Sequence, residues 1–172
     1  MIDDRVLSGK HILVVDDEVD IVDSLAEALD MCRVDKALDF ETARALLERN
    51  IYDAAVLDIM GVDGYALLKI AREKRIPALM LTAHALSPAY LQKSVTEGAY
   101  AYVPKERIAE IAVFLVDMIA AARNRVRPSG RWFQQLEPLF DNRFGSGWKS
   151  RDLQDELKRM FEFDRDELDK IL

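Results

Sequence analysis

The chain has 172 residues, half of them hydrophobic and 32% charged, enough to bury one ordinary core and a small appendage. Cys32 is the single cysteine and His11 and His84 are the only histidines, which excludes an internal disulfide or a cysteine-rich zinc site and argues against a zinc enzyme. No basic start, apolar segment and small-residue cleavage site stand in series near the N-terminus, and the longest apolar-rich stretch, Ile108 to Ala122, is interrupted by Glu110 and Asp117; a cytoplasmic protein with no membrane segment is expected.

The net charge of −7 is unevenly spread: residues 1–122 hold 13 Lys/Arg against 21 Asp/Glu, and residues 123–172 hold 11 against 10. The composition breaks near "RNRVRPSGR", where Pro and Gly mark a boundary. We therefore expect a main domain over residues 1–122 and a helical C-terminal extension over 123–172, with a linker around 124–131.

In chain order, "HILVV" (11–15) is a strand, and the segment from Glu18 to Met31 puts Val22, Leu25 and Leu29 on one helical face. "RVDKA" is a weaker strand, followed by a helix that Asp39 can cap. "DAAVLD" is a strand, "GYALLKIAREK" a helix and "PALMLT" a strand. In "SPAYLQKSVTEG" Ser87 is the N-cap, Pro88 the first helical residue and Gly98 the terminator. "AYAYV" is the fifth strand, and a fifth helix follows from about Glu106 to Arg125. Such alternation specifies an α/β fold, a five-stranded parallel sheet doubly wound by helices on both faces. Cys32 reads as a small buried hydrophobe.

The carboxyl ends of parallel strands gather along one edge, where ligands bind. Asp16 and Asp17 end the first strand, Asp58 the third and Thr82 the fourth, and Lys105 follows the fifth. Taken singly, each residue has a bland explanation as a helix-end charge, a cap or a solvated side chain. Together they do not, because three carboxylates converging at one edge repel unless a cation is present. Mg²⁺ suits oxygen ligands and phosphate chemistry. With Lys105 and Thr82 placed to stabilise the equatorial oxygens of a phosphoryl group, Asp58 is equipped to become an aspartyl phosphate.

The motifs "ILVVDDE", "AAVLDIM…DG", "LMLTA" and "AYAYVPK" together resemble the receiver domain of bacterial two-component response regulators, a CheY-like, flavodoxin-like fold, over about residues 9–122. That resemblance implies Asp58 as phosphoacceptor, Asp17 as a direct Mg²⁺ ligand, Asp16 as a ligand largely through water, and the backbone carbonyl of Met60 completing the set. It implies catalytic roles for Thr82 and Lys105, and Tyr102 as the switch aromatic whose ring moves inward when Thr82 engages phosphate. Met60 and His84, two residues beyond Asp58 and Thr82, match positions that tune phosphoryl lifetime. The chain departs from the family in three places: "DIMGVDG" is two residues shorter than usual and lacks Pro, the stretch from Gly64 to Thr82 is trimmed, and Pro104 precedes Lys105 rather than following it.

The resemblance implies a phosphorelay signalling protein, with a sensor histidine kinase or phosphotransfer protein upstream and no enzymatic activity beyond its own phosphorylation and dephosphorylation. Its output would be protein–protein contact through the fourth helix, fifth strand, fifth helix and tail. The fifth helix carries apolar residues on more than one face: Ile108, Ile111, Leu115 and Ile119, then Val113, Phe114, Val116 and Met118. It needs a second partner, either the tail or a second copy in a homodimer. The tail supplies Trp132, Phe133, Phe140, Phe144, Trp148, Phe161 and Phe163 on two or three short helices. Pro138 is expected to start or kink a helix, "DNRFGSGWKS" to be a loop, and Asp164 with Glu167 to form a capping box. A transcriptional regulator with a minimal DNA-binding tail is the alternative, but near-neutral charge argues against nucleic acid as a partner. A hydrolase working through an aspartyl phosphate would usually carry a second Asp where Met60 stands.

Overall fold

A computed structural model describes residues 4–83, 87–124 and 131–159. After a single helical turn at Asp4–Leu7, the chain runs β1 His11–Val15, α1 Val19–Ala28, β2 Arg33–Ala37, α2 Phe40–Arg49, β3 Ala54–Asp58, α3 Gly64–Glu73, β4 Ala78–Thr82, α4 Pro88–Thr96 and β5 Ala101–Pro104. A 3₁₀ segment, Lys105–Glu110, leads into α5 Ile111–Arg123, and the tail forms α6 Arg131–Phe144 and a helix at residues 151–159, α7.

All strand pairs are parallel, in the order β2-β1-β3-β4-β5. Right-handed crossovers then place α1 and α5 on one face, where they touch, and α2, α3 and α4 on the other. Strands β3, β4 and β5 are buried along their whole length, so they read as near-continuous apolar runs. The edge strand β2 is half exposed and mixed in composition, the reason its signal is weak. It is fastened at its middle by Asp35, which accepts a hydrogen bond from Tyr52 Oη at 2.7 Å and pairs with His11 Nε2 at 2.8 Å.

Local chemistry sets the helix starts as expected. Asp39 accepts from the Thr42 amide at 2.8 Å, and Ser87 Oγ accepts from the Tyr90 amide at 3.2 Å ahead of Pro88. Four expectations are corrected. The fifth helix is not a continuous α-helix from Glu106: residues 105–110 are 3₁₀ and kinked at Arg107 (φ −102°, ψ 16°), and the α-helix begins only at Ile111. Helix α6 does not start at Pro138 but passes through it, and takes in residues 141–144 of the anticipated loop. Only there does Gly145, at φ 78°, close it by donating to the Asp141 carbonyl. Cys32 is half-buried, with its thiol donating to the Leu7 carbonyl at 3.4 Å. Phe161, Phe163, the capping box, His84 and residues 125–130 of the linker lie outside the described residues.

The tail is the second partner of α5. Helix α6 packs along β5, and Trp132, Leu136 and Phe140 are buried with Phe114 and Met118 of α5 in one apolar cluster continuous with the sheet core. Phe140 meets Trp148 at 4.7 Å between ring centroids, and the Trp148 indole donates to Asp141 at 2.6 Å. Leu153 and Leu157 of α7 complete the seam.

Candidate functional site

Strand register brings the polar residues level. Val15 pairs with Leu57, Asp58 with Leu81, and Thr82 with Pro104, so Asp16 and Asp58 leave adjacent strands side by side. Thr82 and Lys105 follow at successive positions along the same edge. The point where strand order reverses lies between β1 and β3, where a crevice opens.

Asp16, Asp58 and Thr82 are each 3% exposed or less. Lys105 crosses the sheet edge to reach them: its Nζ stands 2.7 Å from Asp16 Oδ2, 2.9 Å from Glu18 Oε1 and 3.4 Å from Asp58 Oδ1. The Pro104–Lys105 order therefore still delivers the ammonium to the site. Asp16 also accepts from the Glu18 amide at 2.9 Å, which fixes its carboxylate beneath the start of α1.

Burial penalises the Asp58 carboxylate, and the neighbouring Asp16 charge adds to it; Lys105 offsets only part, and the Asp58 pKa is pushed up to about 7. Burial likewise holds Asp16 above the usual carboxylate range against the pull of Lys105. For Lys105, burial would lower the pKa, but its hydrogen bonds to Asp16 and Glu18 and the charge of Asp58 outweigh this and raise it.

Asp17 is exposed and lies over Gly61, in the loop after β3. Asp16, Asp17 and Glu18 each bring a carboxylate oxygen to within 4.8 Å of the others. A cluster of hard oxygen donors beside a carboxyl whose ionisation is suppressed by burial and by the Asp16 charge fits a small divalent cation such as Mg²⁺. Met60, two residues beyond Asp58, is 47% exposed.

Tyr102, one strand over, is 1% exposed. Its hydroxyl accepts from the Ser87 amide at 3.4 Å and lies near the Thr82 hydroxyl, which is buried without a hydrogen-bond partner among the described residues. Two participants escape a reading of the sequence. Glu18 pairs with Lys105 across 87 positions of chain, although it stands in the "DDE" run itself. Gly61 adopts φ 86° against Asp17, and its signal was the glycine in the shortened "DIMGVDG" loop.

Residues 12–113 match the family model for the response regulator receiver domain. Among curated proteins, the chain is 42% identical over 83 residues to the transcriptional regulatory protein TcrA of Mycobacterium tuberculosis, covering 45% of this chain and 33% of that protein. It is 32% identical over 111 residues to the two-component response regulator ARR12 of Arabidopsis thaliana, covering 60% and 18%. The match thus spans a third or less of these relatives. A solved CheY-like response regulator receiver domain protein from Methanospirillum hungatei JF-1 superposes with a TM-score of 0.62 at 24% identity, over 69% of this chain and 99% of that one. Among the described residues no helix is long and apolar enough to cross a membrane.

Proposed function

This chain belongs to the family of response regulator receiver domains, and we propose from that premise that it is a phosphoacceptor switch in a cytoplasmic two-component phosphorelay. The observation that carries the reading is the single ammonium of Lys105 shared between two buried carboxylates, Asp16 and Asp58, at the sheet edge beside the buried Thr82.

In the forward step an Asp58 carboxylate oxygen attacks the phosphorus of a phosphohistidine on a sensor kinase or phosphotransfer protein. A P–O bond forms as the P–N bond breaks, and the departing imidazole keeps its electron pair and takes up a proton. Lys105 shifts from the carboxylates to a phosphoryl oxygen, and the Thr82 hydroxyl donates to another. Asp17 and Asp58, with the Met60 carbonyl and Asp16 through water, would hold a Mg²⁺ ion, which supplies charge neutralisation on the phosphoryl oxygens when bound. Burial of Asp58 and the apolar Met60 two residues on limit the approach of a hydrolytic water; His84 is proposed to share that tuning. The chain catalyses no reaction beyond its own phosphorylation and dephosphorylation.

Output is by protein–protein contact through α4, β5, α5 and the extension beyond residue 122. An aromatic core holds that extension to the receiver, with Phe114 of α5 and Trp132, Leu136 and Phe140 of α6 in one apolar cluster, which supports the tail as the partner of α5.

The test is phosphorylation of the purified chain by acetyl phosphate and Mg²⁺, followed by intact-mass measurement. One acid-stable, base-labile phosphoryl group is expected, and none in Asp58→Asn. Full-yield modification of that variant would reject the assignment.

A further inference from the structure

Tyr102 is held at both ends. On the inner side its hydroxyl accepts from the Ser87 amide, tying β5 to the start of α4, and lies near the Thr82 hydroxyl, which is buried without a hydrogen-bond partner of its own among the described residues. On the outer side its ring meets Phe140 of α6 edge-on, with centroids 6.3 Å apart. Both side chains are essentially sealed from solvent, at 1% and 0% exposure. Phe140 is itself backed by Phe144 at 5.3 Å and Trp148 at 4.7 Å. A small cavity lined by Tyr102, Pro104 and Phe114 on the receiver side and by Trp132, Leu136 and Leu139 on the α6 side marks the seam.

We propose that α6 is a ligand, carried in the same chain, of the surface formed by β5 and α5, and that its docking and phosphorylation of Asp58 reinforce each other through Tyr102. The proposal rests on Asp58 being the phosphoacceptor. Packed interiors offer a side chain discrete arrangements rather than a continuum. With Phe140 seated, the space outside the Tyr102 ring is filled, and the hydroxyl is kept beside Thr82. Thr82 is the hydroxyl that must turn to a phosphoryl oxygen, and Tyr102 packed behind it favours that position. Docking of α6 and phosphorylation therefore select the same arrangement of one buried ring.

Linkage makes the consequence reciprocal: the factor by which a phosphoryl group tightens α6 docking is the factor by which docking tightens the phosphorylated state. The sign matters for output. A downstream partner meets the outer side of a firmly docked α6, with Trp148 and α7 behind it, rather than a bare β5–α5 face exposed by release of the tail.

The test uses the full chain with Mg²⁺ and beryllofluoride, which mimics the phosphoryl group. Hydrogen exchange over residues 131–144 should slow at least fivefold on adding beryllofluoride, the lower end of typical allosteric coupling. Beryllofluoride affinity, followed by Trp fluorescence, should weaken by a similar factor in Phe140→Leu, which retains most of the apolar volume, and further in Phe140→Ala. Near-ultraviolet circular dichroism of each variant establishes that it is folded, and Phe140→Leu carries the comparison if Phe140→Ala is not. Faster exchange in α6 on adding beryllofluoride would mean release and overturn the proposal. So would unchanged exchange with unchanged affinity in Phe140→Leu, which would leave α6 as packing alone. A wild-type chain that binds no beryllofluoride would instead strike the reading of Asp58, before any variant is compared.

Discussion

The carboxylate of Asp17 rests where Gly61 has no side chain: a Cβ at residue 61 would stand 2.5 Å from Asp17 Oδ2. Gly61 also has φ 86°, in the region that L side chains avoid. Gly61→Ala therefore acts in two separable ways. The backbone term lowers stability by about 1 kcal/mol. The steric term displaces the end of a flexible carboxylate, so it falls on cation binding. We expect Mg²⁺ affinity, titrated by calorimetry, to drop several-fold more than the stability change alone accounts for. Unaltered Mg²⁺ affinity in a folded Gly61→Ala protein would remove Asp17 from the ligand set.

Glu18 competes for Lys105. Its Oε1 lies 2.9 Å from Nζ, closer than Asp58 at 3.4 Å, yet the Glu18 side chain is 55% exposed. Lys105 is 9% exposed, but water screens the Glu18 end, so the pair is worth about 1 kcal/mol. Glu18→Gln should free the ammonium for a phosphoryl oxygen and lengthen the lifetime of phospho-Asp58, by less than about fivefold on that energy. Decay of the base-labile phosphoryl group after removal of acetyl phosphate measures it. A shorter lifetime in the variant would show that Glu18 instead positions Lys105 for its task.

What was legible in the sequence follows from burial. Strands β1, β3, β4 and β5 are covered on both faces, so their apolar runs stand out, and a polar residue ending each run is visible against that background. Asp16, Asp58, Thr82 and Lys105 were found in this way. Glu18 and Gly61 were not, because their roles depend on geometry across the crevice: a pairing between distant positions and the path of one carboxylate over one backbone. The tail shows the same division. The number of aromatic residues called for packing against α5, and Trp132 and Phe140 do pack there, but the passage of α6 through Pro138 overrides the local preference of proline. Tertiary burial of Phe140, two residues on, holds that turn in the helix.

Cation binding should be visible as stability. Asp16, Asp17 and Glu18 hold carboxylate oxygens within 4.8 Å of one another, and an unfolded chain presents no such cluster. Mg²⁺ at a hundredfold excess over its dissociation constant should then stabilise the fold by about 2.7 kcal/mol, read as a rise in melting temperature. Asp17→Asn should need more Mg²⁺ for the same rise. A melting temperature insensitive to Mg²⁺ at concentrations on the order of tens of millimolar, far above any functional affinity, would count against the site.

The last prediction concerns pH in the absence of metal. Burial, then the charge of Asp16, raises Asp58 from its ordinary value of 3.8 to about 7. The folded state thus holds a proton that the unfolded state has released, and stability falls as pH rises through that window, from about 4 to about 7. For a shift of this size the loss is on the order of 4 kcal/mol as an upper bound, since Lys105 can move closer to Asp58 as it ionises. Asp16, also raised, adds in the same direction. Asp35 works the opposite way: burial would raise it, but hydrogen bonds from Tyr52 and His11 prevail and lower it, so its contribution is lost only as the pH falls below the window. Asp58→Asn carries no charge at any pH. It should match wild type near pH 4, already exceed it at pH 5 and exceed it most at pH 8 in EDTA, with a flatter profile between. Urea midpoints at pH 4, 5, 6, 7 and 8 check this. A stability difference between the two proteins that stays constant across that range would show that Asp58 ionises normally, and that Lys105 already neutralises it without a cation.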